Sequence, residues 1–207
     1  MKYGIDTFAS NGGRSGVGVY LYQLLKHFPR DRAELELFGW EFDRYAYSEA
    51  AEDLEYVAQG AREGTLANSL WHIFCYPDFV RRQGYDLTFF PVADRRLPRR
   101  SPCPSVGTVH DMAAYRGPRR NRVQLGALLR LVLPDSLRHL SHIIAVSEWV
   151  KGELIEIAKV DESRITVIPN GIDLTDFHPR ARGEESVVLI QPFSFRRPYI
   201  LYASRLD

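Results

Sequence analysis

The run Ser105 to Asp111, S-V-G-T-V-H-D, constrains the fold more than any other stretch of the chain. Val106, Thr108 and Val109 favour extended backbone, and no charge interrupts them before the histidine. Such a run reads as a buried strand of the kind found in parallel α/β sheets. Open parallel sheets take their ligands at the carboxyl ends of the strands, where loops gather around the crevice at which strand order reverses. His110 and Asp111 stand at such an end. They are either the polar lip of a crevice or, more plainly, a loop histidine tied to a backbone group and an aspartate capping the next helix.

The rest of the chain alternates strand and helix around this run. Tyr3 to Phe8 reads as a short strand, followed by the loop S-N-G-G-R-S-G-V-G, Ser10 to Gly18, rich in residues that tolerate positive φ. A helix then starts near Gly16, because Val17, Tyr20, Leu21, Leu24, Leu25 and Phe28 recur at helical spacing; Pro29 ends it. Strand, glycine loop and helix together make a βα unit whose helix start offers free N–H groups to a phosphate. The glycines Gly13, Gly16 and Gly18 give G-x-x-G-x-G rather than the dinucleotide fingerprint, and a plain tight turn fits them equally well.

Further along, Glu34 to Trp40 reads as a strand and Ser48 to Gln83 as mostly helical, with a last short helix opened by Pro77 and closed by Gly84. Asp86 to Val92 is another buried strand. A long helix carrying Pro134 leads to a strand at His142 to Ser147, a helix capped by Ser147, a turn at Asp161 to Arg164 and a strand at Ile165 to Ile168. This succession calls for a Rossmann-like doubly wound, mainly parallel α/β sheet with helices on both faces. After Pro179 the sequence R-A-R-G-E-E-S reads as a linker, and Y-I-L-Y-A at Tyr199 to Ala203 as the first strand of a second unit. The expected division is a Rossmann-like domain over 1–180, then a linker and first strand over 181–207.

Two arginine-rich loops flank the strand that organises the chain: Arg95, Arg96, Arg99 and Arg100 before it, and Arg116, Arg119, Arg120 and Arg122 after it. They are solvated faces or a landing surface for an anionic acceptor or lipid head groups. Net charge is only +1, so bulk electrostatics gives no case for a nucleic-acid partner. Cys75 and Cys103 are too few for a disulfide framework and read as reduced, partly buried thiols. The opening M-K-Y-G-I-D is no secretory leader and no apolar run reaches the ~20 residues of a membrane span, so a cytoplasmic protein is expected, with peripheral contact at the inner membrane face left open. The six histidines lack metal-ligand spacing, and no metal is expected.

Four stretches carry a resemblance: S-G-V-G-V-Y with its L-x-x-L-L tail; T-V-H-D at 108 to 111; I-I-A-V-S-E-W-V-K-G-E-L followed by R-I-T-V-I-P-N-G-I-D-L-T-D-F-H-P; and Y-I-L-Y-A-S-R-L. In this order they resemble the family-4 retaining glycosyltransferases, whose GT-B architecture joins two Rossmann-like domains. The resemblance implies that Gly16 lies near the donor diphosphate, that His110 contacts the transferred sugar and supports catalysis, and that Asp111 stands beside it on the acceptor side. Arg205 matches an arginine that neutralises diphosphate, although Ser204 stands where the family usually has glycine. Arg116 and Arg119 are the candidate acceptor contacts.

The function implied is hexose transfer from a nucleotide-diphosphate sugar to a glycan or lipid-linked acceptor in cell-surface polysaccharide synthesis. The family's spaced glutamates and its donor-base contacts belong to a C-terminal domain that these 207 residues lack, so they are expected to be inactive alone. Two other readings compete with it. A nicotinamide-dependent dehydrogenase or epimerase needs G-x-G-x-x-G and a Tyr-x-x-x-Lys pair, neither of which is present. A non-catalytic Rossmann-like sugar-binding or interaction module remains the alternative.

Overall fold

The computed structural model describes residues 1–10, 13, 15–50, 52–59, 65–94, 96–112, 115, 127–175 and 177–179. By contacts the chain divides into one unit over Met1–Asn170 and another over Gly171–Asp207. The expected linker and the expected strand at 199–203 both lie outside the described residues.

The first unit holds a seven-stranded sheet of β1 (Lys2–Asp6), β2 (Glu34–Gly39), β3 (Glu55–Ala58), β4 (Leu87–Phe90), β5 (Ser105–Val109), β6 (His142–Ala145) and β7 (Ile165–Val167). Their order is β3-β2-β1-β4-β5-β6-β7, and every neighbouring pair is parallel. The chain therefore winds outward from β1 in one direction, returns, and winds outward from β4 in the other. The order reverses between β1 and β4, which puts the expected crevice outside the ends of those two strands. The run Ser105–Val109 is one strand removed from the middle of the sheet, between β4 and β6.

Helix α1 (Gly16–His27) covers one face: its Leu21 and Leu25 pack against Ile5 of β1 and Leu35 and Leu37 of β2. The opposite face is larger. There α3 (Thr65–Phe74), α4 (Tyr76–Gln83), α5 (Ala127–His139) and α6 (Glu148–Glu153, extended by one wider turn over Leu154–Ala158) bury Trp71, Phe79, Leu137 and Leu154 against Phe38, Phe90, Val109 and Ile143. Helices on both faces are what an all-parallel sheet requires. Gly84 adopts φ 69° and closes α4, and Pro134 sits inside α5 without ending it.

Two expectations are corrected. The stretch from Ser48 onward is not mostly helical: it contains β3, and a short helix α2 (Glu41–Ala46) precedes it. Strand β3 is an edge strand of four residues with no buried position, so it lacks the apolar run by which strands are recognised. Cys75 is exposed rather than partly buried, while Cys103 is half-buried; both are free thiols.

Candidate functional site

The β1–α1 connection is a turn shaped by glycine. Gly13 has φ 76°, and a Cβ on Gly18 would stand 2.6 Å from the Gly13 backbone, so loop and helix approach closely only because Gly18 has no side chain. Ser15 caps α1, its hydroxyl accepting from the Gly18 N–H at 3.1 Å. Gly16 is the first residue of the helix, is exposed, and has nothing within 4 Å of where its Cβ would be. The N–H groups of Gly16 and Val17 have no partner among the described residues. A bare helix start with open space above it is a site where an anion can reach backbone N–H groups.

One turn further, Tyr20 reaches from α1 to the end of β5. Its hydroxyl shares a 3.0 Å hydrogen bond with Thr108 Oγ1, and its ring meets His110 edge-on, with centroids 5.0 Å apart at 82°. Burial pushes the Tyr20 phenol up, against the opposing bond to Thr108, so it stays protonated at neutral pH. His110 is half-buried, and its Nε2 lies 2.8 Å from the Pro91 carbonyl at the exit of β4. A carbonyl only accepts, so Nε2 carries the proton and donates; in the neutral ring the lone pair then sits on Nδ1. Contacts from α1 and from the β4 loop thus help to fix this imidazole. The crevice end of the sheet presents a phenol, an oriented imidazole and a helix start whose first N–H groups have no partner among the described residues.

The structure brings Gly16 and His110 to the same end of the sheet, linked through Tyr20. Asp111 follows His110 and is exposed. Arg116, Arg119 and Arg205 lie outside the described residues, as does Arg95. Of the arginines expected as a solvated or anion-binding face, Arg96 instead turns inward: its Nη1 donates to the Phe8 carbonyl at 2.7 Å. Arg99 meets Asp135 at 3.4 Å. Tyr20 and the Pro91 carbonyl were not singled out from sequence. Tyr20 was visible only as one member of an apolar stripe, and the backbone oxygen of Pro91 gives no sequence signal. Among the described residues no group of three or more His, Cys, Asp and Glu side chains is placed to hold a metal ion, and no helix is long and apolar enough to cross a membrane.

With this geometry in place, comparison with known proteins is informative. Two solved structures of Anabaena HepE, one with UDP-glucose and one with UDP and glucose, match with TM-scores of 0.54 and 0.53. Each is 21% identical over 84% of this chain, and the match covers 45% and 46% of the respective HepE chain. A glycosyltransferase from Rickettsia africae matches with a TM-score of 0.45 at 15% identity, over 84% of this chain and 44% of its own. The chain thus spans under half the length of these structures, and the likeness to HepE is one of fold. No curated protein sequence matches. The family model described as Glycosyltransferase Family 4 matches residues 14–176, from the glycine loop through β7 and well over half of the 207 residues. The chain belongs to glycosyltransferase family 4.

Proposed function

We propose that the chain is the N-terminal, acceptor-side Rossmann-like lobe of a retaining GT-B glycosyltransferase, with residues 1–180 forming the lobe and 181–207 leading into a donor-binding domain. The observation that carries this reading is the pairing of the bare α1 start with the oriented His110 through Tyr20 at the carboxyl rim. Its donor is a nucleotide-diphosphate hexose; HepE, whose fold it shares, has been solved with UDP-glucose. Its acceptor is a glycan or lipid-linked sugar of cell-surface polysaccharide synthesis, met in the cytoplasm or at the inner membrane face.

In this reading the N–H groups at Gly16 face the donor diphosphate, and Arg205 adds a cation. Negative charge grows on the leaving diphosphate as the bond from C1 to phosphate oxygen breaks. Fixed dipoles that need no rearrangement meet that charge at low cost. The acceptor oxygen bonds to C1 on the same face, and its proton passes to the departing phosphate. His110 positions the transferred sugar, Asp111 stands on the acceptor side, and Arg116 and Arg119 hold an anionic part of the acceptor. No metal ion enters the scheme.

The test compares the complete enzyme with the 207-residue chain, each given radiolabelled UDP-hexose and a lipid-linked saccharide. Label is expected in the acceptor with the complete enzyme and none with residues 1–207, which lack most of the donor contacts. Transfer by the 207-residue chain would show that the missing domain is not required.

A further inference from the structure

The end of β1 carries a buried polar pair that the scheme above does not use. Asp6 and His72 are 66 residues apart in sequence, and His72 Nε2 lies 2.8 Å from Asp6 Oδ2. The His72 side chain is 0% exposed and that of Asp6 5%. On its other side His72 Nδ1 faces the Asn68 carbonyl at 2.6 Å and so carries a proton, which makes the ring a bridge between α3 and β1. The second carboxylate oxygen, Oδ1, accepts the Phe8 N–H at 2.8 Å.

From there hydrogen bonds joined by short stretches of backbone lead to the start of α1. Thr7 O accepts the Ser10 N–H at 2.9 Å, Ser10 O accepts the Ser15 hydroxyl at 3.0 Å, and Ser15 Oγ accepts the Gly18 N–H at 3.1 Å. The turn is also gripped from its sides. Thr7 Oγ1 donates to Asp43 Oδ2 at 2.9 Å, and Arg96 Nη1 holds the Phe8 carbonyl. Asp6, Asp43, Arg96 and Ser15 thus hold three residues of the turn that leads to α1, namely Thr7, Phe8 and Ser10.

We propose that Asp6 and His72 form a positioning latch that sets the β1–α1 turn and thereby aims the N–H groups at Gly16. The proposal rests on the reading of that helix start as the donor-diphosphate site. Fold stability alone is a weak reason to bury a polar pair, since its desolvation offsets much of what its hydrogen bonds contribute. Its position is telling. A second buried polar group, Glu36 with Tyr85 and Lys2, sits near the opposite ends of the same strands, away from the crevice, and serves as an internal control.

The experiment measures amide hydrogen exchange of the full chain at Ser10, Gly18 and Val19 in Asp6→Asn, His72→Phe, His72→Gln and Tyr85→Phe, alongside each variant's Tm. Local release of the turn is expected to speed exchange at these amides about tenfold in Asp6→Asn and His72→Phe. His72→Gln, whose side-chain amide can either donate or accept a hydrogen bond near the Nε2 position, is expected to restore slow exchange. Tyr85→Phe lowers Tm and leaves these amides slow. Acceleration that merely follows Tm across all four variants would reduce the pair to a structural one.

In the complete enzyme, loss of the latch in His72→Phe is expected to raise the donor KM, with recovery in His72→Gln and no change in Tyr85→Phe. An unchanged donor KM in an active His72→Phe enzyme overturns the positioning role and leaves the transferase reading standing. An absence of sugar transfer by the wild-type enzyme defeats that reading, while the exchange data still decide whether the latch exists.

Discussion

Gly16 and Gly18 lie two residues apart at the start of α1 and answer to different demands. A methyl group at Gly18 would meet the Gly13 backbone at 2.6 Å, whereas one at Gly16 would meet nothing within 4 Å. Gly18→Ala is therefore expected to destabilise the chain by about 1–3 kcal/mol, because backbone on both sides must give way. Gly16→Ala is expected to hold or raise stability by up to about 1 kcal/mol, since alanine loses less entropy in a helix. In the complete enzyme the same Gly16→Ala is expected to raise the donor KM, because the proposed function puts the diphosphate where the methyl would stand. Thermal melts and donor titrations of the two variants check both halves; a Gly16→Ala enzyme with wild-type donor KM would mean that nothing approaches that helix start. The glycine loop was legible in sequence because its residue types are rare outside turns. The partners that give it shape were not: Asp6 and His72 look like an ordinary strand-end acid and helix histidine until the fold brings them to 2.8 Å.

Among the elements, those with a buried face declared themselves. Uncharged Val106 to Val109 and the α1 stripe through Leu21 and Leu25 are read correctly because burial imposes a pattern on the sequence. Strand β3 and helix α2 escaped notice because they are short and sit at the sheet edge, where solvent tolerates Glu55, Glu41 and Arg44. The amino ends of the strands offer a test of element pairing. Lys2 of β1 holds Glu36 of β2 at 2.7 Å, and the Tyr85 hydroxyl donates to the same carboxylate. That hydrogen bond to Glu36 raises the Lys2 ammonium, with burial opposing it. Burial first, then the Glu36 bond, raises the Tyr85 phenol. Both groups bind their protons more tightly folded than unfolded, so their stabilising effect is complete below the unfolded pKa and fades as pH rises beyond it. The urea midpoint is thus expected to fall above about pH 10, and Tyr85→Phe to flatten that fall. A midpoint that drops equally steeply in Tyr85→Phe would assign the alkaline loss elsewhere.

At the scale of the molecule, the order β3-β2-β1-β4-β5-β6-β7 gathers the turn after β1, the exit of β4 and the end of β5 at one rim. The alternation of strands and helices made this doubly wound plan readable, because right-handed crossovers leave few other ways to wind a parallel sheet. What the alternation could not show is which side chains meet at the rim. The Tyr20–His110 contact and the Pro91 carbonyl depend on three separate loops or helices arriving together. A family match over residues 14–176 agrees with that plan, and the chain covers under half of each HepE structure whose fold it shares. The central claim is that this rim is a sugar-transfer site built around an imidazole that contributes little to the core. The most direct measurement is kcat and Tm of the complete enzyme carrying His110→Ala. A fall in kcat of about 100-fold or more is expected, with Tm lowered by only a few degrees. Losses of activity and stability in proportion would contradict it and make His110 a structural residue.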